Sequence, residues 1–195
     1  DEKEFYHCFA TGEHGNIFDF VMKTQNLRFG ETVKYLASIA GMKPYIFSKQ
    51  DEEREKDWNN YKEIYKNYVE YYHNELLNNN SSSEAKSYIK NRGLKLEDVQ
   101  NFKIGFVTKE IDFYEFLLKK FDKTDINNSG IFYFDEKKQK HINRFRERII
   151  FPIKNISGDV IAIGGRSIKE NNFLAKYINS PETQFFKKGS NLYNL

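Results

Sequence analysis

The sequence predicts an α+β chain in which helices come first and a mixed helical and antiparallel-strand part follows. Three patterns carry this expectation. Val33, Leu36, Ala37 and Ala40 recur at helical spacing and stop at Gly41, a residue suited to the end of a helix. Tyr61, Tyr65, Tyr68, Tyr72 and Leu76 form a stripe at three- and four-residue steps, as a helix facing a core would. Residues 149–153 and 160–163 are β-branched runs separated by Ser157-Gly158, which reads as two strands joined by a turn.

Taken in order, residues 4–9 read as a short strand, and Gly12 and Gly15 as turn residues. A helical pattern around Ile17, Phe18, Phe20, Val21 and Met22 precedes the one that ends at Gly41. Residues 42–57 hold Pro44 and the run Asp51-Glu52-Glu53-Arg54-Glu55-Lys56-Asp57, expected to be a linker or a solvated helix. Residues 58–77 are a long helix whose tyrosine stripe is expected to pack rather than to stack bases. Asn78 to Ser83 is a loop whose serines can cap the next helix, 84–91, which Arg92-Gly93 stops. A short helix at 94–99, a strand at 102–106 and a helix at 113–121 follow, and 126–134 leads into the last part. The expected division is 1–41, a linker at 42–57, and 58–195, the last helical to 125 and mixed from 126.

Charge is unevenly spread. Residues 137–189 carry 12 lysines and arginines against 4 carboxylates, a net of +8, whereas residues 1–136 carry 19 against 24, a net of −5. Phe145, Phe151, Tyr177, Phe185 and Phe186 lie within the basic block. Clustered charge interleaved with rings suits a nucleic acid, whose backbone the charges hold while rings stack on bases. Side chains alternate along a strand, so Arg144, Arg146 and Arg148 are expected to project from one face together, where each guanidinium can fork onto a phosphate. Gly164-Gly165 removes two side chains before Arg166, which would let backbone N–H groups approach a ligand. The bland reading is a hairpin with solvated arginines and a glycine bulge.

RFRERIIFPI (144–153), GGR (164–166), KYINSPET (176–183), and FKKG followed by LYNL (186–195) resemble the start of the RNA polymerase core of bacterial DnaG-type primases. Tyr6-His7-Cys8-Phe9, and onward to Phe20-Val21-Met22, resembles the end of that family's zinc-binding domain. The resemblance covers nearly the whole chain, with its motifs in the family's order. It implies a small zinc-ribbon remnant with helices, then the N-terminal subdomain of the polymerase core. It also implies a fragment of a larger enzyme that makes short RNA primers on single-stranded DNA during replication.

By that resemblance, Arg146, Arg166, Lys176, Tyr177, Asn179 and Lys188 bind template or nucleotide, and Arg144 and Arg148 rank second. The implied partners are single-stranded DNA, the RNA primer, ribonucleotides and, through a region absent here, the replicative helicase. The implied cofactors are Mg or Mn, bound outside this segment, and zinc. Zinc is doubtful here: Cys8 matches the first cysteine of the family's pair, but Thr11 stands at the second.

No catalytic residue is expected in the chain. Nucleotidyl transfer needs carboxylates clustered on strand ends to hold metal ions, and no Asp-x-Asp lies on an apolar strand. There is no phosphate-cradling glycine loop and no nucleophile–base set. One cysteine excludes an internal disulfide and fits the cytoplasm, where the replisome works. No apolar run approaches the roughly 20 residues that cross a bilayer, so no membrane partner is expected. Two rivals remain: a stand-alone single-stranded nucleic-acid-binding module, and a copy with only a packing role. A carboxylate-rich segment encoded beyond Leu195 would separate the enzyme from the binding module.

Overall fold

The computed structural model describes residues 5–25, 27, 29–43, 48–108, 113–155, 157–169 and 175–190. The chain divides into two compact units, one formed by residues 1–56 with 156–158 and the other by 57–155 with 159–195.

In the first unit, β1 (Phe5–His7) and β2 (His14–Asn16) form an antiparallel hairpin, with Tyr6 opposite Gly15. Helix α1 (Ile17–Gln25) starts directly after it. The Asn16 carboxamide accepts from the Phe18 and Asp19 amides, and the Asp19 carboxylate accepts from the Asn16 amide. These reciprocal bonds satisfy donors that a helix start otherwise leaves unpaired. Helix α2 (Phe29–Ile39) buries Ala37.

Helix α3 (Lys49–Asn78) begins before residue 58, because the charged run 51–57 is a solvated helix, the second of the two readings of that stretch. Its stripe is core, as its period requires: Tyr65, Tyr68 and Tyr72 are fully buried. Each phenol also finds a polar partner far along the chain. Tyr61 donates to the Ile161 carbonyl at 2.7 Å, Tyr65 to the Ser129 carbonyl at 2.8 Å, and Tyr68 to the Asn143 carboxamide at 2.8 Å. A buried hydroxyl left without such a partner would cost about 1–3 kcal/mol.

After α3 come α4 (Ser83–Asn91), α5 (Leu96–Asn101), β3 (Gly105–Val107), α6 (Phe113–Leu118) and α7 (Lys123–Asn128). The elements expected at 94–99 and 102–106 both lie later in the chain. A turn with Lys103 at φ 51 intervenes, and β3 continues to Val107. Gly105 lies against the helix: a Cβ there would stand 2.9 Å from the Tyr72 carbonyl carbon and 3.0 Å from the His73 nitrogen. Strands β4 (Phe132–Asp135) and β5 (Lys140–Asn143) pair as a hairpin.

The main sheet contains β3, β6 (Arg148–Lys154), β7 (Val160–Ser167) and β8 (Tyr177–Asn179), antiparallel throughout and in the order β3-β6-β7-β8. Side chains alternate between its faces. Val107, Ile150 and Ile163 join the tyrosines of α3, with α6, in one buried cluster. Phe106, Ile149 and Phe151 join a second cluster with Leu76, Ile89 of α4 and Val99 of α5. One face is therefore covered by α3, and the other only in part by α4 and α5.

Burial raises the Tyr65 and Tyr68 phenols well above their ordinary value, and burial raises Tyr61 as well. A raised folded-state pKa means that ionisation favours the unfolded chain. The stabilisation is complete below the ordinary phenol value near 10 and is lost as pH rises through the higher folded-state values. Alkaline titration should therefore give one cooperative unfolding transition, with tyrosinate absorbance and loss of helical circular dichroism rising together. Smooth ionisation of all tyrosines without unfolding would contradict this.

Candidate nucleic-acid interface

The open part of the half-covered face lies over β7 and β8. Register places Tyr177 opposite Arg166 and Asn179 opposite Gly164, so all four share one face. Tyr177 is 60% exposed and Asn179 is also exposed, so neither side chain is taken up by the core. The Arg166 guanidinium lies 5.0 Å from the Tyr177 ring centre and 5.2 Å from that of Tyr88 on α4, held between the two rings. One of its terminal nitrogens donates to the Tyr177 hydroxyl. Its Nε is buried without a hydrogen-bond partner, so stacking rather than hydrogen bonding holds that end of the group. The Arg92 guanidinium also lies over the Tyr88 ring, at 5.3 Å from its centre, and donates from Nε to the Tyr88 hydroxyl at 3.2 Å. The result is a ladder of Arg92, Tyr88, Arg166 and Tyr177 running from α4 to the sheet edge.

Arg144, Arg146 and Arg148 do not share a face. Asn143 accepts from the Phe145 amide, a turn follows, and Glu147 takes a left-handed conformation at φ 59 before β6 begins at Arg148. Arg144 is exposed; its Nε donates to the Gly130 carbonyl at 2.9 Å and its guanidinium lies over Tyr133. Arg146 is exposed and its side chain has no ion pair among the described residues. Arg148 is buried on the opposite face of the sheet, where its guanidinium donates to the Lys176 carbonyl at 3.2 Å. Burial pulls it below its ordinary pKa, a cost that the sheet bears in order to fix the start of β8.

The glycine pair has a different purpose from the one expected. A Cβ on Gly165 would stand 2.6 Å from the Phe145 ring, and a Cβ on Gly164 would stand 3.4 Å from the Asn179 carboxamide oxygen. Both residues are paired within the sheet, and Gly165 makes room for the Phe145 ring rather than for a ligand, whereas at Gly164 a side chain would meet only an ordinary contact.

The 176–183 segment divides its work. Lys176, Tyr177 and Asn179 are exposed, while Ser180 is fully buried, with its hydroxyl accepting from the Ile163 amide at 3.0 Å and from Tyr65 at 3.3 Å. Thr183 meets the Tyr61 hydroxyl at 3.0 Å. Lys188 is exposed in a short 3-10 turn, and its amide donates to Glu182 at 3.1 Å. Tyr88 and Arg92 escaped the sequence reading because they lie in a stretch read only as a helix and its stop.

In the first unit, the Cys8 amide donates to the Glu13 carbonyl at 2.6 Å and the Gly12 amide to the Cys8 carbonyl at 2.8 Å, closing a tight loop. Hydrogen bonds from the Thr11 hydroxyl, then from the Thr11 and Ala10 amides, lower the Cys8 thiol from its ordinary pKa. The described residues hold no cluster of three or more His, Cys, Asp or Glu side chains arranged for a metal. One thiol, with a hydroxyl in the second position, does not make the roughly four-donor set of structural zinc.

Residues 71–195 match the family model for the N-terminal domain of the DNA primase catalytic core, and residues 1–53 match the CHC2 zinc finger. The chain belongs to the DnaG-type DNA primases. It is 36% identical over 196 residues to the DNA primase of Clostridium acetobutylicum and 33% identical over 200 residues to that of Escherichia coli, covering all of this chain in both cases. The chain spans about a third of the length of these primases, 32% and 33% respectively. Among solved structures it resembles a DnaG primase catalytic domain bound to single-stranded DNA, at 30% identity and a TM-score of 0.63. That match covers 72% of this chain and 44% of the other. The Aquifex aeolicus primase, with zinc-binding and RNA polymerase domains, matches over 98% of this chain and 45% of its own, at 27% identity and a TM-score of 0.61. Primases thus share both the mixed α+β fold and the order of the two units. Among the described residues no helix is long and apolar enough to cross a membrane.

Proposed function

We propose that this chain is part of an enzyme that makes short RNA primers on single-stranded DNA, and that its β7–β8 face holds template or nucleotide beside the catalytic centre. The observation that carries the reading is the Arg166 guanidinium clasped between Tyr88 and Tyr177, with Lys176 exposed alongside. Arg146, Asn179 and Lys188 complete the contact set, and Arg144 is a lesser contributor. Arg148 acts through the strand it anchors. Ribonucleotides and the growing RNA primer are the enzyme's other partners, and Mg or Mn and the replicative helicase engage parts of it outside these residues. The setting is the cytoplasmic replisome. A related catalytic domain bound to single-stranded DNA supports the reading.

The test is fluorescence anisotropy with a labelled single-stranded oligonucleotide across several salt concentrations. Each lysine or arginine on a phosphate should contribute about 0.7 to the slope of log K against log salt. Removing Arg146, Lys176 and Lys188 together should flatten that slope by about 2. Replacing Lys62, Lys66 and Lys86 on α3 and α4 should leave it nearly unchanged. Equal losses from both sets would show diffuse charge rather than a formed site.

We also propose that these 195 residues hold no structural zinc on their own. Metal analysis of the purified chain should find clearly substoichiometric zinc. Stoichiometric zinc that resists a chelator would overturn this.

A further inference from the structure

Away from the β7–β8 face, the C-terminal end of α3, one side of α4 and the start of α5 enclose a groove of about 570 Å³ that is open to solvent. Its floor is apolar: Leu76, Ile89 and Val99 are buried there, with Leu77 and Leu94 partly covered. Leu96, at the lip, is 63% exposed, a large apolar side chain left open to water. The remaining lining is basic. Lys86 and Lys90 lie one helical turn apart on α4, on the same side as Ile89, and Lys95 faces them from the start of α5. None of the three forms an ion pair among the described residues, and no carboxylate lines the groove. Lys86 is fixed at the rim by two carbonyls at the C-terminal end of α3, those of Leu77 at 3.1 Å and Asn79 at 3.2 Å, which leaves Lys90 and Lys95 as the free charges of the rim.

We infer that this groove docks an acidic, amphipathic segment of a partner protein, with leucine-like anchors on the floor and carboxylates on the lysine rim. Charge complementarity selects the occupant: an apolar floor alone would accept many segments, but the exposed ammonium groups of Lys90 and Lys95, with Lys86 behind them, favour one with acidic flanks. A nucleic acid would match the lysines and leave the floor unfilled. The proposal is independent of the β7–β8 assignment, since no residue is shared.

The probe is a short labelled helical peptide with leucines along one face and glutamates elsewhere, bound to the full 195-residue chain and followed by anisotropy. Binding is expected, with a loss of at least about tenfold in Lys90→Glu/Lys95→Glu and in Leu96→Glu. All three positions are exposed, so the variants should keep the native helical circular dichroism and unfolding midpoint, which report that they fold. Peptides with lysines in place of glutamates, or serines in place of leucines, should bind at least about tenfold more weakly. The inference fails if the acidic peptide does not bind, if its lysine counterpart binds as well, or if the groove variants leave affinity unchanged. It also fails if laurate binds and the peptide does not, for the groove would then be a site for a small amphipathic anion.

Discussion

Phe145→Ala should destabilise the 57–195 unit by about 3–5 kcal/mol, the range for removing a fully buried aromatic ring. The ring belongs to the cluster containing Tyr65, Tyr68 and Ile150, and it occupies the space above Gly165. Gly165→Ala should cost about 1–3 kcal/mol in the otherwise native protein, because the new methyl group would overlap the ring. In the Phe145→Ala background that second cost should largely vanish, leaving only the looser contact with the Arg148 side chain at 3.3 Å. Urea unfolding of the two single variants and the double variant measures the coupling directly. Strict additivity would mean that the ring is not what keeps residue 165 bare.

The largest effect on binding should come from Arg166. Arg166→Ala removes the group that both tyrosine rings stack on, so Tyr177 loses its partner along with its hydrogen bond. Affinity for single-stranded DNA should fall by about 1–3 kcal/mol, the worth of a stacked ring, while the salt slope falls by no more than about 0.7. Arg166→Lys should not rescue it, because an ammonium lacks the planar group that fits between two rings. Tyr88→Ala should weaken binding without altering the slope, although the ring itself lies mostly under the guanidinium. Full rescue by lysine would reduce Arg166 to a point charge and remove the ladder from the mechanism.

What could be read from the sequence depended on how local the cause was. The tyrosine stripe of α3 was legible because helical period and burial are the same information: a row at three- and four-residue steps has one face to bury. The β6–β7 hairpin was legible from its branched runs and the Ser157-Gly158 turn. The start of β6 was misjudged because alternation was counted through a turn. Its signal was Asn143, whose side chain binds the backbone two residues on and so bends the chain before Arg148. The Gly165 reading failed for a related reason: what the missing side chain makes room for, Phe145, lies on a neighbouring segment. Tyr88 and Arg92 could not be paired with Arg166 from the sequence, since only the fold brings α4 against the β7–β8 edge.

The polar partners of the α3 tyrosines bear on how such a chain is made. A ribosome releases α3 well before any segment that can receive its phenols, which are satisfied at Ser129, Asn143, Ile161 and Thr183. Until the chain has grown past Thr183, a nascent helix must carry a row of rings with no lasting cover. Contacts of such long sequence separation slow folding and prolong the exposure of sticky surface. Synthesis halted ahead of the Ser180–Thr183 stretch should leave a nascent chain that a trigger-type chaperone holds. Lengthening it past that stretch should release it, so the last tyrosine partner to emerge marks the end of the folding delay.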